Sequence, residues 1–181
     1  MVKGWEIKIK ERKNAPMAIY FFWGADDFAM GRGVAALQAQ TLDAAWASFN
    51  FDKISPAAED PVGEALAQAM PPPFGSGQRL VWLVDTPLGQ RCAQATLESL
   101  SQTLPKIPDP TVLLLTSKNK PDGRLKSTKL LKKHADIREF GTIPPWKTDQ
   151  IEHQVYQVAK DIGLRLTPQA AALLGAAIGA N

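Results

Sequence analysis

Ala18-Ile-Tyr-Phe-Phe-Trp23, closed by Gly24-Ala25 and followed by Asp26-Asp27, is the stretch that decides how this chain folds. An uninterrupted apolar run of strand length, with no alternation of apolar and polar residues, describes a strand buried on both faces. Asp26 and Asp27 stand where a helix N-cap and a first-turn acid belong, and Phe28, Val34, Leu37 and Leu42 supply a helical apolar stripe. A doubly buried strand running into a crossover helix begins a parallel α/β sheet.

The same alternation continues outward. Trp46–Phe51 reads as a second strand, and Val62–Met70 as a short helix stopped by Pro71-Pro72-Pro73. Leu80–Val84 reads as the third strand, Gln90–Leu104 as a helix broken at Pro105, and Val112–Leu115 as the fourth strand. Arg124–His134 is a basic helix and Ile137–Phe140 a fifth strand, so the fold expected is a parallel five-stranded α/β sheet with helices on both faces. After the turn-rich Gly141-Thr-Ile-Pro-Pro145 the pattern is helical only. Ile151, Val155, Val158, Ala159 and Ile162 share one face with Gly163 at the C′ position, and Thr167-Pro168 opens a helix over Gln169–Ile178. Two such helices do not close a core alone and read as the start of a second, helical domain. The expected organisation is a head segment over 1–16, an α/β domain over 17–143 and the truncated beginning of the helical domain over 144–181.

Length and composition exclude several classes. With 181 residues, 45% of them apolar, the chain is long enough to bury a core. No apolar run approaches the roughly 18 to 20 residues of a membrane span, and no signal-peptide pattern stands at the start, so a soluble, cytoplasmic protein without membrane contact is expected. A single Cys92 and the two histidines His134 and His153 leave neither a disulfide framework nor a polyhistidine metal site. The 21 bases against 18 acids are not spread evenly, because Met1–Pro16 holds five bases and two acids and the rest of the chain balances at 16 of each. The basic head reads equally as an extension or tag and as a short edge strand built on Trp5, Ile7 and Ile9.

The turn after the first strand is where a fold of this order holds phosphate. A P-loop needs a glycine, four residues and then Gly-Lys-Ser/Thr. Counting from Gly24, the last three positions are Ala29, Met30 and Gly31, and Asp26 with Asp27 would repel a triphosphate. Gly31-Arg-Gly33 is too short for a dinucleotide fingerprint. Asp85 ends the third strand at the height of a magnesium-binding carboxylate but has no phosphate loop to serve, so Asp85-Thr86-Pro87 reads as a turn. Cys92 reads as a core filler, His134 as a helix C-terminal residue and His153 as a solvated one. No nucleophile, base and orienting group stand out, so no catalytic site, cofactor or metal is expected.

Two features exceed this background. Lys118, Lys120, Arg124, Lys126, Lys129, Lys132 and Lys133 are opposed within their span by Asp122 alone, which suits a solvated helix face or a surface for DNA or an acidic partner. Phe74 sits in Pro71-Pro-Pro-Phe-Gly-Ser-Gly-Gln78, too rich in proline and glycine for core structure. An aromatic placed there either caps the sheet or anchors a partner.

In order along the chain, Tyr20-Phe-Phe-Trp-Gly-Ala-Asp-Asp-Phe28, Trp46-Ala-Ser-Phe-Asn-Phe51, Pro73-Phe-Gly-Ser-Gly-Gln-Arg-Leu-Val81, Val112–Ser117 with its lysine-rich continuation, and Pro144-Pro-Trp146 with the final helix pair resemble the delta subunit of the bacterial DNA polymerase III clamp loader. The resemblance runs from about Ala18 to Asn181. It implies a RecA-like, AAA+-like domain without ATP hydrolysis of its own, within the polymerase III holoenzyme. It also implies a subunit that binds the sliding clamp (the beta subunit) and opens it during DNA replication. In that family a hydrophobic pair contacts the clamp: Phe74 matches its aromatic member, Pro73 stands at the position often held by leucine, and Met70 is a substitute contact. The chain covers about half of a full family member, and the C-terminal domain that joins the other clamp-loader subunits is the part missing, so those partners are expected only if that domain is supplied. Two other readings remain beside this one: a nucleic-acid-binding module using Lys118–Lys133, and a degenerate nucleotide-binding enzyme.

Overall fold

A computed structural model describes residues 19–144 and 146–179, so the readings made for the head segment and for Pro145 lie outside the described residues. Two compact units divide between Phe140 and Gly141.

The first unit runs β1 (Ile19–Trp23), α1 (Asp27–Thr41), α2 (Ala47–Asn50), β2 (Phe51–Ile54), α3 (Pro61–Gln68), β3 (Arg79–Leu83), α4 (Gln94–Thr103), β4 (Thr111–Ser117), α5 (Lys126–His134) and β5 (Asp136–Glu139). The five strands form one sheet in the order β2-β3-β4-β1-β5, every pairing parallel. Phe21 lies opposite Leu115 on one side and Ile137 on the other, which makes β1 an interior strand. Successive residues of β1 point to opposite faces. Ile19 and Phe21 join Val81, Leu83, Leu113 and Leu115 under α3, α4 and α5, through Val62, Leu66, Leu100 and Leu131. Tyr20 and Phe22 join Leu80, Val112 and Leu114 under Met30, Val34 and Leu37 of α1. The strand order explains the division. The chain leaves β1 in one direction to reach β2 and then returns through β3 and β4, so right-handed crossovers put α1 on one face and the later helices on the other.

The ends of the helices follow their side chains. Asp26 Oδ1 accepts the amide of Ala29 at 2.8 Å, capping α1 as expected. Asp60 Oδ1 accepts the amide of Gly63 at 3.0 Å, and Pro61 occupies the first turn of α3. Gly24 adopts φ +147, and a Cβ there would run into the carbonyl of Phe140, so only glycine lets β1 turn this closely against the end of β5.

Several elements differ from the sequence reading. Phe28 is 60% exposed, and Met30 takes its place on the buried face, because the sheet-facing positions of α1 are Met30, Val34, Leu37 and Thr41 and residue 28 lies about 200° round the helix from 30. Trp46–Asn50 is not strand: the carbonyl of Trp46 accepts the amides of Phe49 and Asn50, making a helical turn, and the strand begins at Phe51. The fourth helix starts at Gln94 rather than Gln90, because Pro87–Gly89 forms a 3₁₀ turn held by the buried Leu88, whose carbonyl accepts Ser127 Oγ at 2.7 Å. The turn read at Asp85-Thr86-Pro87 starts one residue earlier, at Val84-Asp85 with Asp85 at φ +46, and Pro87 already opens the 3₁₀ turn.

The second unit pairs α6 (Thr148–Asp161) with α7 (Pro168–Gly179). Ile151, Val155 and Ala159 are buried, as is Ala171 of α7, and Thr167 Oγ1 accepts the amide of Ala170 at 3.2 Å. Ile162, expected on the buried face, is exposed because it caps α6 just before Gly163 turns the chain at φ +75. Leu164, Leu173 and Leu174 are also exposed.

Phe21, fully buried, and Phe28 should respond oppositely to truncation. Phe21→Ala is expected to lose about 3 to 5 kcal/mol of stability and Phe28→Ala less than about 1 kcal/mol, measured by urea unfolding.

Candidate functional site

Parallel pairing of β2 with β3 sets Phe51 opposite Leu80. The segments that lead into these two strands therefore run side by side at the amino-terminal edge of the sheet. One is the helical turn α2 and the other is the loop Pro71–Gln78.

Asn50, 1% exposed, joins them. Its Nδ2 donates to the carbonyl of Phe74 at 2.9 Å, and its Oδ1 accepts the amide of Phe74 at 2.7 Å, so one side chain satisfies both main-chain groups of that residue. The Phe74 ring is left 60% exposed. It lies 5.3 Å from the ring of Trp46 and 5.6 Å from that of Phe49. Residues 46, 49 and 50 are spaced to share one side of a helical turn, and all three touch Phe74.

The rest of the loop is tied down as firmly. Gly75 has φ +67, and a Cβ there would stand 2.5 Å from the Trp46 indole, so the chain crosses the ring at a distance only glycine permits. Ser76 Oγ donates to Asp43 Oδ2 at 2.8 Å, and the amide of Gln78 donates to the carbonyl of Thr41 at 3.3 Å. The bonds from Ser76 and from the Ala45 amide hold the Asp43 carboxyl below its ordinary value. A carboxylate lowered in the folded state contributes stability above its unfolded pKa and loses it as pH falls through the lowered one, so this tether is present at neutral pH and is lost on acidification. Pro73 is half-buried and Met70 is exposed beyond the end of α3. Asn50, Trp46 and Phe49 were not anticipated as site residues. Their signal is the i, i+3, i+4 spacing, which a strand reading of Trp46–Phe51 hides.

The basic segment is less uniform than its sequence. Lys118 Nζ pairs with Asp27 at 3.3 Å, and Arg124 pairs with Asp122 at 2.8 Å, holding that carboxyl down to about 2. Lys120, Lys126, Lys129, Lys132 and Lys133 are exposed and form no ion pair with the described residues. The lysines of α5 occupy its solvent face, opposite the buried Ser127, Thr128 and Leu131.

At the other end of the sheet, the carboxyl ends of β3 and β4 and the first turns of α1 bound a cleft lined by Asp27, Met30, Trp82, Asp85, Thr116 and Lys118. The carboxyl edge of the sheet is where α/β folds bind nucleotides. Here Asp26 already takes an amide of the first turn of α1, the lining is mainly apolar, and Lys118 is drawn to Asp27. Among the described residues no cluster of His, Cys, Asp or Glu is arranged to hold a metal ion, and no helix is long and apolar enough to cross a membrane.

The family described as DNA polymerase III, delta subunit, matches residues 20–140, about two thirds of the sequence. The chain belongs to this family. Among solved structures, the DNA clamp loader delta protein of Bacillus subtilis superposes on this delta-family chain with a TM-score of 0.71 at 22% identity, covering 90% of this chain and 50% of that one. The likeness shows the shared fold, a five-stranded parallel sheet with flanking helices followed by further helices, and the chain spans about half the length of that protein. A DNA polymerase III gamma subunit-related protein of Thermotoga maritima is more distant, with a TM-score of 0.49 and 15% identity over 93% of this chain and 55% of its own. No curated protein matches the sequence.

Two outcomes follow from this geometry. Asn50→Ala is expected to cost about 1 to 3 kcal/mol, from a buried hydrogen-bond pair lost at the Phe74 main chain, and to expose Pro71–Gln78 to limited proteolysis. Titration calorimetry with magnesium and ATP at millimolar concentration is expected to show no saturable heat, because the cleft lacks the P-loop cation and hydroxyl.

Proposed function

We propose that this delta-family chain binds the sliding clamp of the replicative polymerase through the Pro71–Gln78 loop, and that the bound loop favours an opened clamp, with no ATP hydrolysis by this chain. Phe74 is the anchor, with exposed Met70 as a further contact and Pro73 shaping the approach. The observation that carries this reading is the double hydrogen bond from Asn50 to the main chain of an otherwise exposed phenylalanine. Holding the backbone removes the ordering cost that a flexible loop incurs on binding, while the free ring keeps its apolar area for a partner. Full burial of one phenylalanine contributes about 1.5 to 3 kcal/mol, enough for an interface anchor. Clamp opening requires only that the loop bind the open clamp more tightly than the closed one. The first unit is then the clamp-binding domain, and the helix pair α6–α7 the beginning of the lid-like domain. Assembly with other clamp-loader subunits would rest on the part of the family's length that this chain does not span, and a cytoplasmic location suits a replication protein.

A second reading is favoured by the all-lysine solvent face of α5: this face, with Lys118, Lys120 and Arg124, contacts DNA. Its affinity would fall steeply with salt, by one counterion for each phosphate neutralised.

Clamp titration with the wild-type chain and Phe74→Ala separates the readings. The expected result is a loss of at least about 2 kcal/mol of clamp affinity, roughly thirtyfold, with folding stability changed by less than about 1 kcal/mol. A large loss of stability with unchanged clamp affinity would show a structural Phe74, and tight, salt-sensitive DNA binding without clamp contact would favour the lysine face.

A further inference from the structure

We infer that Phe49 is a second anchor for the same partner, so that the clamp-facing element is a ridge of two rings from two separate segments. This rests on the clamp-binding reading of Phe74 and goes beyond it, because Phe49 belongs to α2 and not to the Pro71–Gln78 loop.

Phe49 is 61% exposed, matching Phe74, and the two rings lie 5.6 Å apart with their planes only 36° from parallel. They therefore present one continuous apolar surface. Half-buried Trp46 stands behind both, 6.3 Å from Phe49 and 5.3 Å from Phe74, and serves as the floor against which the two rings are set. Neither ring is placed by chance. The helical turn that begins at Trp46 turns Asn50 inward to hold the Phe74 main chain, and the same turn brings Phe49 round to the Phe74 ring. Pro73, the chain neighbour of Phe74, is half-buried and offers a small ring with little free area. The apolar area available next to Phe74 is thus supplied across the gap between segments.

The occupant follows from continuity. A pocket that closes over the Phe74 ring must also cover a ring 5.6 Å away, or leave it stranded at the edge of a desolvated contact. The clamp pocket this implies is apolar and wide enough for two aromatic rings side by side.

The test is titration of the sliding clamp with the wild-type chain, Phe49→Ala, Phe49→Leu, Phe74→Ala and the double alanine variant, each first checked by urea unfolding. Because Phe49 is largely exposed, its alanine variant is expected to fold, and Phe49→Leu keeps apolar area should that variant be impaired. A direct anchor predicts that Phe49→Ala weakens binding about tenfold or more, that Phe49→Leu recovers most of the loss, and that Phe49→Ala still costs about threefold or more when Phe74 is already alanine. Two results would overturn the inference while leaving the Phe74 reading intact: Phe49→Ala binding like wild type while Phe74→Ala is weakened, or a Phe49→Ala loss that vanishes in the Phe74→Ala background, which would make Phe49 a prop for Phe74. Wild-type affinity in all variants would instead overturn the clamp-binding reading itself, and this inference with it.

Discussion

The first unit is organised by burial of its middle strands on both faces. Phe21 and Phe22 in β1 and Leu113 and Leu114 in β4 are adjacent pairs of residues that point in opposite directions, and all four are wholly removed from water. A strand pair of this kind is stable only when helices cover both sides, which demands crossover connections and therefore a parallel sheet. The strand order then fixes which helix lies on which face, with α1 on one side of the sheet and α3, α4 and α5 on the other. The loops at each end of the sheet inherit their neighbours from that order.

Both candidate regions are consequences of this inheritance. At the carboxyl edge, β3 and β4 end side by side and, with the start of α1, frame a cleft beside a helix terminus already capped by Asp26. At the amino edge, the pairing of β2 with β3 brings α2 against the Pro71–Gln78 loop, and Asn50 converts that proximity into a fixed geometry. A short polar side chain does here what a neighbouring strand would do, taking both hydrogen-bonding groups of one residue while leaving its side chain free. Binding energy is thereby concentrated in aromatic rings whose backbone is already ordered.

The strands of the core were legible because an apolar run such as Ile19–Trp23 has few other uses, and the absence of a P-loop was legible because that motif needs particular residues at fixed spacing. Phe74 stood out because a phenylalanine among prolines and glycines has no core to enter. The surroundings of Phe74 were less legible. Trp46-Ala-Ser-Phe-Asn-Phe51 is rich in residues that favour strands, and only the tertiary contacts of Trp46 and Asn50 with the loop make its first part helical. Phe28 is hard to place from sequence for a related reason, since a stripe can be drawn through either Phe28 or Met30 until the helix start is known. The lysine segment reads as one basic block in the sequence, whereas folding separates two paired bases, Lys118 and Arg124, from five that form no ion pair with the described residues.

The most direct test of the account is a solved structure of this chain bound to its sliding clamp. The account predicts the Phe74 ring enclosed in an apolar clamp pocket, with the Asn50 hydrogen bonds to its main chain unchanged from the free chain. A complex in which the clamp rests on the lysine face of α5, with Phe74 left in solvent, would contradict it.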